Sequence, residues 1–268
     1  MKLLRPAFRF SVAALAMGCA AAHSQPDSAG SARLDTLRQT PEVAGVQVYQ
    51  GAVFAVHAPS ATPLFSYERR VGSTGSGLSS AHITQDPSGK LIIAEEAQFT
   101  PDYAVQRFDA TNLQQGFSGT VLLSKGGRHL EYRLNQNGKL TTASEDVNEP
   151  VVTGPTLHGF VLQHWDLLNS GKTVKVRMIV LAEKTTYGFD IRRVAPADEP
   201  DRSLSTFALT PSNWLVRMAI APLKVSFNAQ TRSLVRYEGR VPPMQADGGK
   251  LKNLDARVDY TMQVPVYR

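Results

Sequence analysis

The sequence predicts a mainly β protein of the α+β class, in which a curved antiparallel sheet or half-barrel packs on one or two helices. Three observations lead to this prediction. Apolar and polar residues alternate in runs of strand length, turn signals recur about every 8 to 12 residues, and only two segments have helical spacing. A strongly twisted sheet needs a cover, and we expect the two helices to provide it.

Period-two alternation predicts the strands. The clearest example is a three-strand meander within 119–142, where Asn137-Gly138 supplies the positive φ that both centres of a type I′ turn require. Alternation also predicts strands or hairpins in the following segments, in chain order: 46–56, 64–71, 78–84, 91–99, 173–194, 223–227 with 234–239, and 256–266.

Two helices interrupt this pattern. The first spans 154–169 and ends at Ser170-Gly171 in the manner of a glycine C-cap. The second begins with Thr210 and Pro211 as N-cap and first helical residue, and runs to 222. Each helix carries a tryptophan, Trp165 or Trp214, which we expect to pack on the concave face of the sheet. Segments 195–203 and 242–253 are rich in Pro, Gly and polar residues and are predicted to be surface loops.

The N-terminal segment predicts export. Lys2, Arg5 and Arg9 precede an apolar stretch over 10–22, the layout of a secretory signal peptide. A helix of about 13 residues is roughly 20 Å long and cannot span a bilayer core of about 30 Å. We therefore expect 1–24 to be a signal peptide, cut before His23 or Gln25, 25–42 a flexible tether, and 43–268 a single β-rich domain. The expected location is periplasmic or extracellular.

Cys19 is the only cysteine. It stands where a lipoprotein signal places its lipidated residue, and Gly18 precedes it as expected, but Ala16 and Met17 depart from the usual pattern. Two outcomes are open: either Cys19 is discarded with the signal peptide, or it is lipidated and tethers the protein to a membrane. In the first case the mature chain has no cysteine, which excludes thiol catalysis and cysteine-based zinc sites.

The charge balance argues against a nucleic-acid partner. The formal net charge is +6, and removing the three signal-peptide cations leaves 26 basic against 23 acidic residues, a net charge of +3. These residues are not clustered on one element, as a nucleic-acid footprint requires. We therefore expect no nucleic-acid partner, and membrane contact only if Cys19 is lipidated.

No segment of the sequence has the residue spacing that a known catalytic, metal-binding or cofactor-binding motif requires. The segment 116–120 reads Gly-Phe-Ser-Gly-Thr, which departs from the Gly-x-Ser-x-Gly of a nucleophile elbow and precedes a strand instead of a helix. The glycine-rich run 72–77 lacks the lysine of a phosphate-binding loop. The six histidines show no His-x-x-x-His spacing. The sequence therefore predicts no cofactor and favours a non-enzymatic role.

The first helix carries the most interesting polar residues. His158 and Asp166 are two turns apart, about 12 Å along the axis, which excludes a dyad between them. Either of them could pair with a strand residue such as Asp190, and His164 lies on the same helix. We prefer packing or capping roles for all three.

Apolar residues of the first helix and the 173–194 hairpin could enclose a ligand between layers. The candidate ligand-lining residues are Phe160, His164, Trp165, Met178 and Phe189. The alternative is that these residues fill a solid core.

An exported chain whose curved antiparallel sheet closes over one or two helices resembles the half-barrel carriers that handle lipids in the bacterial envelope. This is an analogy of fold. The leading hypothesis is an exported, non-catalytic envelope protein that binds a lipid-like or other apolar molecule. The alternative is a structural or protein-interaction module of the envelope, and an exported hydrolase is the third reading.

Overall fold

A computed structural model describes residues 47–56, 62–74, 77–199 and 201–263. Within these ranges, 15 strands form one open sheet, accompanied by three short helices. Strands make up 62% of the residues, which confirms the mainly β prediction. The predicted signal peptide and tether, Cys19, and the predicted strand residues 46 and 264–266 lie outside the described residues.

The strands form two meanders that run outward from one central pair. The first eight strands are β1 (Gln47–Ala55), β2 (Phe65–Thr74), β3 (Gly77–Gln85), β4 (Leu91–Phe99), β5 (Val105–Asn112), β6 (Phe117–Ser124), β7 (His129–Gln136) and β8 (Lys139–Asp146). The other seven are β9 (Val151–Val152), β10 (Val174–Val180), β11 (Thr185–Arg193), β12 (Leu204–Pro211), β13 (Leu223–Asn228), β14 (Leu234–Asp247) and β15 (Lys250–Gln263).

The first and last described strands are neighbours in this sheet. Its order is β8 down to β1, followed by β15 down to β9, and β1 pairs antiparallel with β15. Each other pair is also antiparallel, except the parallel pair of β9 and β10. Leu181, just after β10, lies so close to Gly119 of β6 that a Cβ there would be 3.2 Å from Leu181 Cδ2. Ten strands separate β6 from β10 in the sheet order, so the sheet curves until its two halves meet.

The helices are α1 (Gly154–Gln163), α2 (Trp165–Asn169) and α3 (Trp214–Ala219). The predicted helix over 154–169 is therefore divided at His164, which ends α1 and precedes α2. The predicted start of the second helix at Thr210 was wrong, because Thr210 and Pro211 belong to β12 and pair with β11. Asn213 is the actual N-cap, and its side chain accepts a hydrogen bond from the Leu215 amide.

The predicted surface loop over 242–253 was also wrong. There β14 continues to Asp247 and β15 begins at Lys250, so this segment is the tip of a long hairpin. Gly248 and Gly249 connect the two strands with φ of +56° and +75°, a conformation that glycine adopts without strain. Strands β5, β9 and β12 were not predicted.

The largest core cluster joins α1 and α2 to the second meander. Leu157, Phe160 and Trp165 of the helices pack there with strand residues such as Phe189 and Phe207. The helical cover is small compared with the sheet, because α3 leaves Trp214, Leu215 and Met218 exposed. The expectation that both tryptophans pack on the concave face was therefore wrong for Trp214. No helix in the described ranges has the length and apolarity needed to cross a bilayer.

Candidate functional site

A cavity of about 280 Å³ lies between the inner face of the curved sheet and the first turn of α1. Its wall is mostly apolar and draws on strands from both meanders, for example Val53, Phe108, Ala110 and Val258, together with Leu157 of α1. One group of polar side chains on the wall lies near the beginning of α1, where His82, Glu95 and His158 meet Tyr67 and Tyr260. Asn112, Gln115 and Arg240 also line the cavity.

Strand register places four of the polar groups beside this cavity in one line. Tyr49 of β1 pairs with Arg69 of β2, Arg69 with His82 of β3, and His82 with Glu95 of β4. Residues that are directly opposite in antiparallel strands project from the same face. Tyr49, Arg69 and His82 are buried, and the Glu95 side chain is 15% exposed. We call Tyr49, Arg69, His82 and Glu95 the polar row.

The first turn of α1 covers the polar row. Thr153 and Thr156 form a capping box that fixes where the helix begins. Gly154 then lies against the row, since a Cβ at this position would be 3.5 Å from Glu95 Oε2 and 3.6 Å from His82 Nδ1. The carbonyl oxygen of Pro155 accepts a hydrogen bond from Arg69 Nη2 at 3.4 Å.

His158 lies one turn further along α1. Its ring centroid is 5.9 Å from that of His82 and 5.9 Å from that of Tyr260. On the other side, His82 Nδ1 is hydrogen-bonded to the Tyr67 hydroxyl and lies 3.9 Å from Glu95 Oε2. The helix and four strands of the sheet therefore converge on one polar cluster.

Burial dominates the electrostatics of this cluster. It raises the pKa of Glu95 from 4.5 to about 7, because the carboxylate loses its hydration. Burial also lowers the pKa of His82 and of His158 well below the usual range, and the nearby positive charge of Arg69 lowers both further. The two imidazoles are therefore neutral at pH 7.

Several buried polar atoms of the cluster have no hydrogen-bond partner among the described residues. They are both ring nitrogens of His158, Nε2 of His82 and Nε of Arg69. Leaving a buried polar atom unpaired is unfavourable, so such atoms in folded proteins usually bind water, an ion or a ligand. These atoms can bind the polar part of a guest molecule. Among the described residues, no group of three or more His, Cys, Asp or Glu side chains is arranged to hold a metal ion.

The five residues proposed from the sequence to contact a ligand do not all lie in one place in the structure. Met178 lies on the cavity wall. Phe160, Trp165 and Phe189 are buried together in the largest core cluster. His164 stacks on Phe160 with 4.2 Å between ring centroids, and its Nδ1 is 2.9 Å from the Phe160 carbonyl oxygen. A ligand contact for these five side chains stays a prediction.

The other polar residues considered on this helix have different surroundings. The Asp166 side chain is 93% exposed and lies 3.8 Å from Arg232. Asp190 binds Lys175 at 3.1 Å and contacts Ser212 instead of a helix histidine. His158, for which we preferred a packing role, lines the cavity, and neither of its ring nitrogens has a partner in the described part of the chain.

Arg69, His82 and Glu95 were not proposed from the sequence, although a signal for them exists. In 91–99, period-two alternation puts Glu95 in phase with Ile93, Ala97 and Phe99, all of which are buried. Arg69 is likewise in phase with Tyr67, which is buried. A charged residue in phase with the buried face of a strand is unusual enough to indicate a site.

Comparisons with known proteins add little. No family model matches the sequence, and no curated protein matches it. Among solved structures, the chain is similar to a porin-like protein from Bacteroides uniformis, with 9% identity over 81% of this chain and 97% of that chain, and a TM-score of 0.22. A likeness at this level carries no conclusion about fold or function.

Proposed function

We propose that this chain is an exported, non-catalytic protein of the cell envelope whose cavity binds a lipid-like molecule. The observation that carries the proposal is the cavity itself, which has a mostly apolar wall and a cluster of polar atoms that have no partner among the described residues. An apolar chain would bury its surface against Phe108, Ala110 and Val258, and its polar end would meet His82 and His158. Ligand pockets of proteins combine these two properties.

The size of the cavity supports a small ligand. Its volume of about 280 Å³ is close to the lower limit of the range from about 300 to 1,000 Å³ that is usual for ligand pockets. An apolar wall offers water few hydrogen bonds, and an empty cavity forfeits the contacts of the atoms that line it. A single acyl chain, or an aromatic molecule of similar volume, fits these requirements.

A variant that fills the cavity tests this proposal. Ala110 is a small residue on the wall, and Ala110→Phe would place a ring in the space that the ligand needs. We expect the affinity for the neutral apolar dye N-phenyl-1-naphthylamine, measured by its fluorescence, to fall by roughly tenfold or more.

The matched control is Ala208→Phe, on the outer face of β12 between the buried Phe207 and Leu209. Dye binding by this variant should equal that of the wild type. If folded Ala110→Phe protein, or the milder Ala110→Leu, binds the dye as tightly as the wild type, the cavity is not the binding site. Native mass spectrometry of the purified wild type is a second test: a bound acyl-chain mass supports the proposal, and clean apo protein contradicts it.

A second candidate function is a protein-interaction module of the envelope. The observation that favours it is α3, where Trp214, Leu215 and Met218 are 64%, 53% and 70% exposed. Large apolar side chains that cluster on a surface often mark an interaction site. A protein that captures no acyl chain and binds no apolar dye would favour this alternative.

Export itself has a direct test. We expect the intact mass of the mature protein, expressed with its full sequence in a bacterium, to correspond to a chain that begins at His23 or Gln25. A diacyl or triacyl mass on Cys19 would instead show a membrane-tethered lipoprotein. A cytoplasmic protein that retains residues 1–24 would contradict export.

A further inference from the structure

The polar row contains a buried cation that lacks a counter-charge. Arg69 is 5% exposed. It donates a 3.4 Å hydrogen bond to the Pro155 carbonyl oxygen, and its guanidinium carbon lies 5.6 Å from the centroid of the Tyr49 ring. Among the described residues, no carboxylate lies within ion-pair distance of it, and its Nε has no partner. A guanidinium stays protonated inside a protein, so this charge is permanent.

Glu95 does not neutralise Arg69. The two residues are in one row but two strands apart, roughly 10 Å at about 4.8 Å per strand, and His82 lies between them. Burial also favours the protonated form of Glu95, whose pKa is about 7. An unpaired buried charge is strongly unfavourable, and a ligand that supplies the opposite charge would remove this penalty.

Two histidines link the charge to the cavity. His82 and His158 line the cavity, and the positive charge of Arg69 is close enough to lower the pKa of both. His82 Nε2 and both ring nitrogens of His158 lack partners within the described part of the chain. A neutral imidazole has one N–H donor, so each histidine can donate a hydrogen bond to an acidic head group.

We propose that the natural ligand is a single-chain amphiphile with a carboxylate head, bound so that His82 and His158 donate hydrogen bonds to the carboxylate and Arg69 supplies the opposing charge. One permanent cation matches one negative charge, which favours a carboxylate over a doubly charged phosphate. This inference rests on the proposed function, because it names the polar end of a ligand that the cavity must first accommodate.

The test compares two ligands that share a chain and differ in the head group, decanoate and decanol. Each displaces N-phenyl-1-naphthylamine from the protein, which gives its affinity. We expect the wild type to bind decanoate roughly tenfold or more tightly than decanol, because hydrogen bonds to a charged group are the stronger ones. In Arg69→Met the preference should disappear, mainly through weaker binding of decanoate, and Arg69→Lys should retain part of it.

The control is Arg236→Met. Arg236 does not line the cavity, and its Nε already binds Asp259 at 2.7 Å, so its loss should leave the preference for decanoate intact. If Arg69→Met does not fold, His158→Phe, which keeps an aromatic ring in place, should weaken decanoate binding several-fold and spare decanol.

The outcomes distinguish this inference from the proposed function. Equal wild-type affinities for decanoate and decanol would overturn the carboxylate inference and leave apolar binding standing. Failure of the wild type to bind the dye or either ligand would remove the proposed function as well. Loss of the preference in Arg240→Met, a variant at a cation of the cavity wall, but not in Arg69→Met would place the acidic head beside Arg240.

Discussion

Replacing Glu95 by Gln is expected to raise the free energy of unfolding by about 3 kcal/mol at pH 8 and to change it little near pH 4. The pKa of this carboxyl is about 7 in the folded protein, against an ordinary 4.5. Between these values the folded state holds a proton that the unfolded chain releases. The stability contributed by protonated Glu95 is therefore complete below pH 4.5 and is lost as the pH rises to about 7. Glutamine is neutral at every pH and does not incur this loss.

The two buried histidines act in the opposite direction. Burial lowers the pKa of His82 and His158 below 6.5, so their contribution is complete above pH 6.5 and is lost as the pH falls below it. Wild-type stability alone therefore mixes both effects. The difference between Glu95→Gln and wild type isolates the carboxyl, because both proteins contain the histidines.

Urea unfolding from pH 4 to 8.5 measures this difference. Arg69 is the positive charge nearest to Glu95 in the polar row, and the charge of Glu95 acts on Tyr67 and Tyr237. Within the described residues the cluster contains no other buried carboxyl, so no second carboxyl titration overlaps that of Glu95. Glu96→Gln, the same change on the opposite face of β4, supplies the baseline. A difference between Glu95→Gln and wild type that stays constant with pH would show that the carboxyl is hydrated in the folded state.

The strands that could be predicted from the sequence are those whose own residues carry clear alternation and turn signals. The predicted segment 91–99 coincides with β4, because the turn at Asp86 precedes it and one of its faces is almost wholly apolar. β7 alternates as expected, with Leu130, Tyr132 and Leu134 buried. In both cases the local pattern and the tertiary surroundings favour the same conformation.

The strands that were missed depend on partners elsewhere in the chain. β5 looks polar, yet Asp109 is buried in it, because Arg107 and Thr120 donate hydrogen bonds to its carboxylate. Thr210 and Pro211 resemble the beginning of a helix, but pairing with Asp190 and Phe189 keeps them in β12. Local propensity is a weak prior, and tertiary pairing overrides it at these positions.

The candidate site contains both a residue that was noted from the sequence and residues that were missed. His158 was identified as noteworthy because it lies on a recognisable helix. The polar row was not, since Arg69, His82 and Glu95 lie on three strands and align only through the registers of two hairpins. Each residue has a local signal, a polar side chain in phase with a buried face. Their convergence on α1 depends on the curvature of the whole sheet, which no single segment of the sequence encodes.

The two tryptophans should differ strongly in what they contribute to stability. Trp165 is 7% exposed and packs edge-on against Phe207 and Phe227, with ring centroids 5.1 and 5.7 Å away. We expect Trp165→Ala to lower the free energy of unfolding by about 3 to 5 kcal/mol, through lost burial and the cavity left behind. Trp214 is 64% exposed, and Trp214→Ala should change the stability by less than about 0.5 kcal/mol.

The same pair of variants reports on the fold directly, because each leaves one tryptophan as the fluorophore. The Trp214→Ala protein should emit at short wavelength from the buried Trp165, and its emission should shift to the red as urea unfolds the chain. The folded Trp165→Ala protein should already emit at long wavelength. Equal losses of stability in the two variants would mean that α2 does not anchor the largest core cluster. The predicted asymmetry would instead show that the five-residue helix Trp165–Asn169 stabilises the second meander mainly through the packing of Trp165.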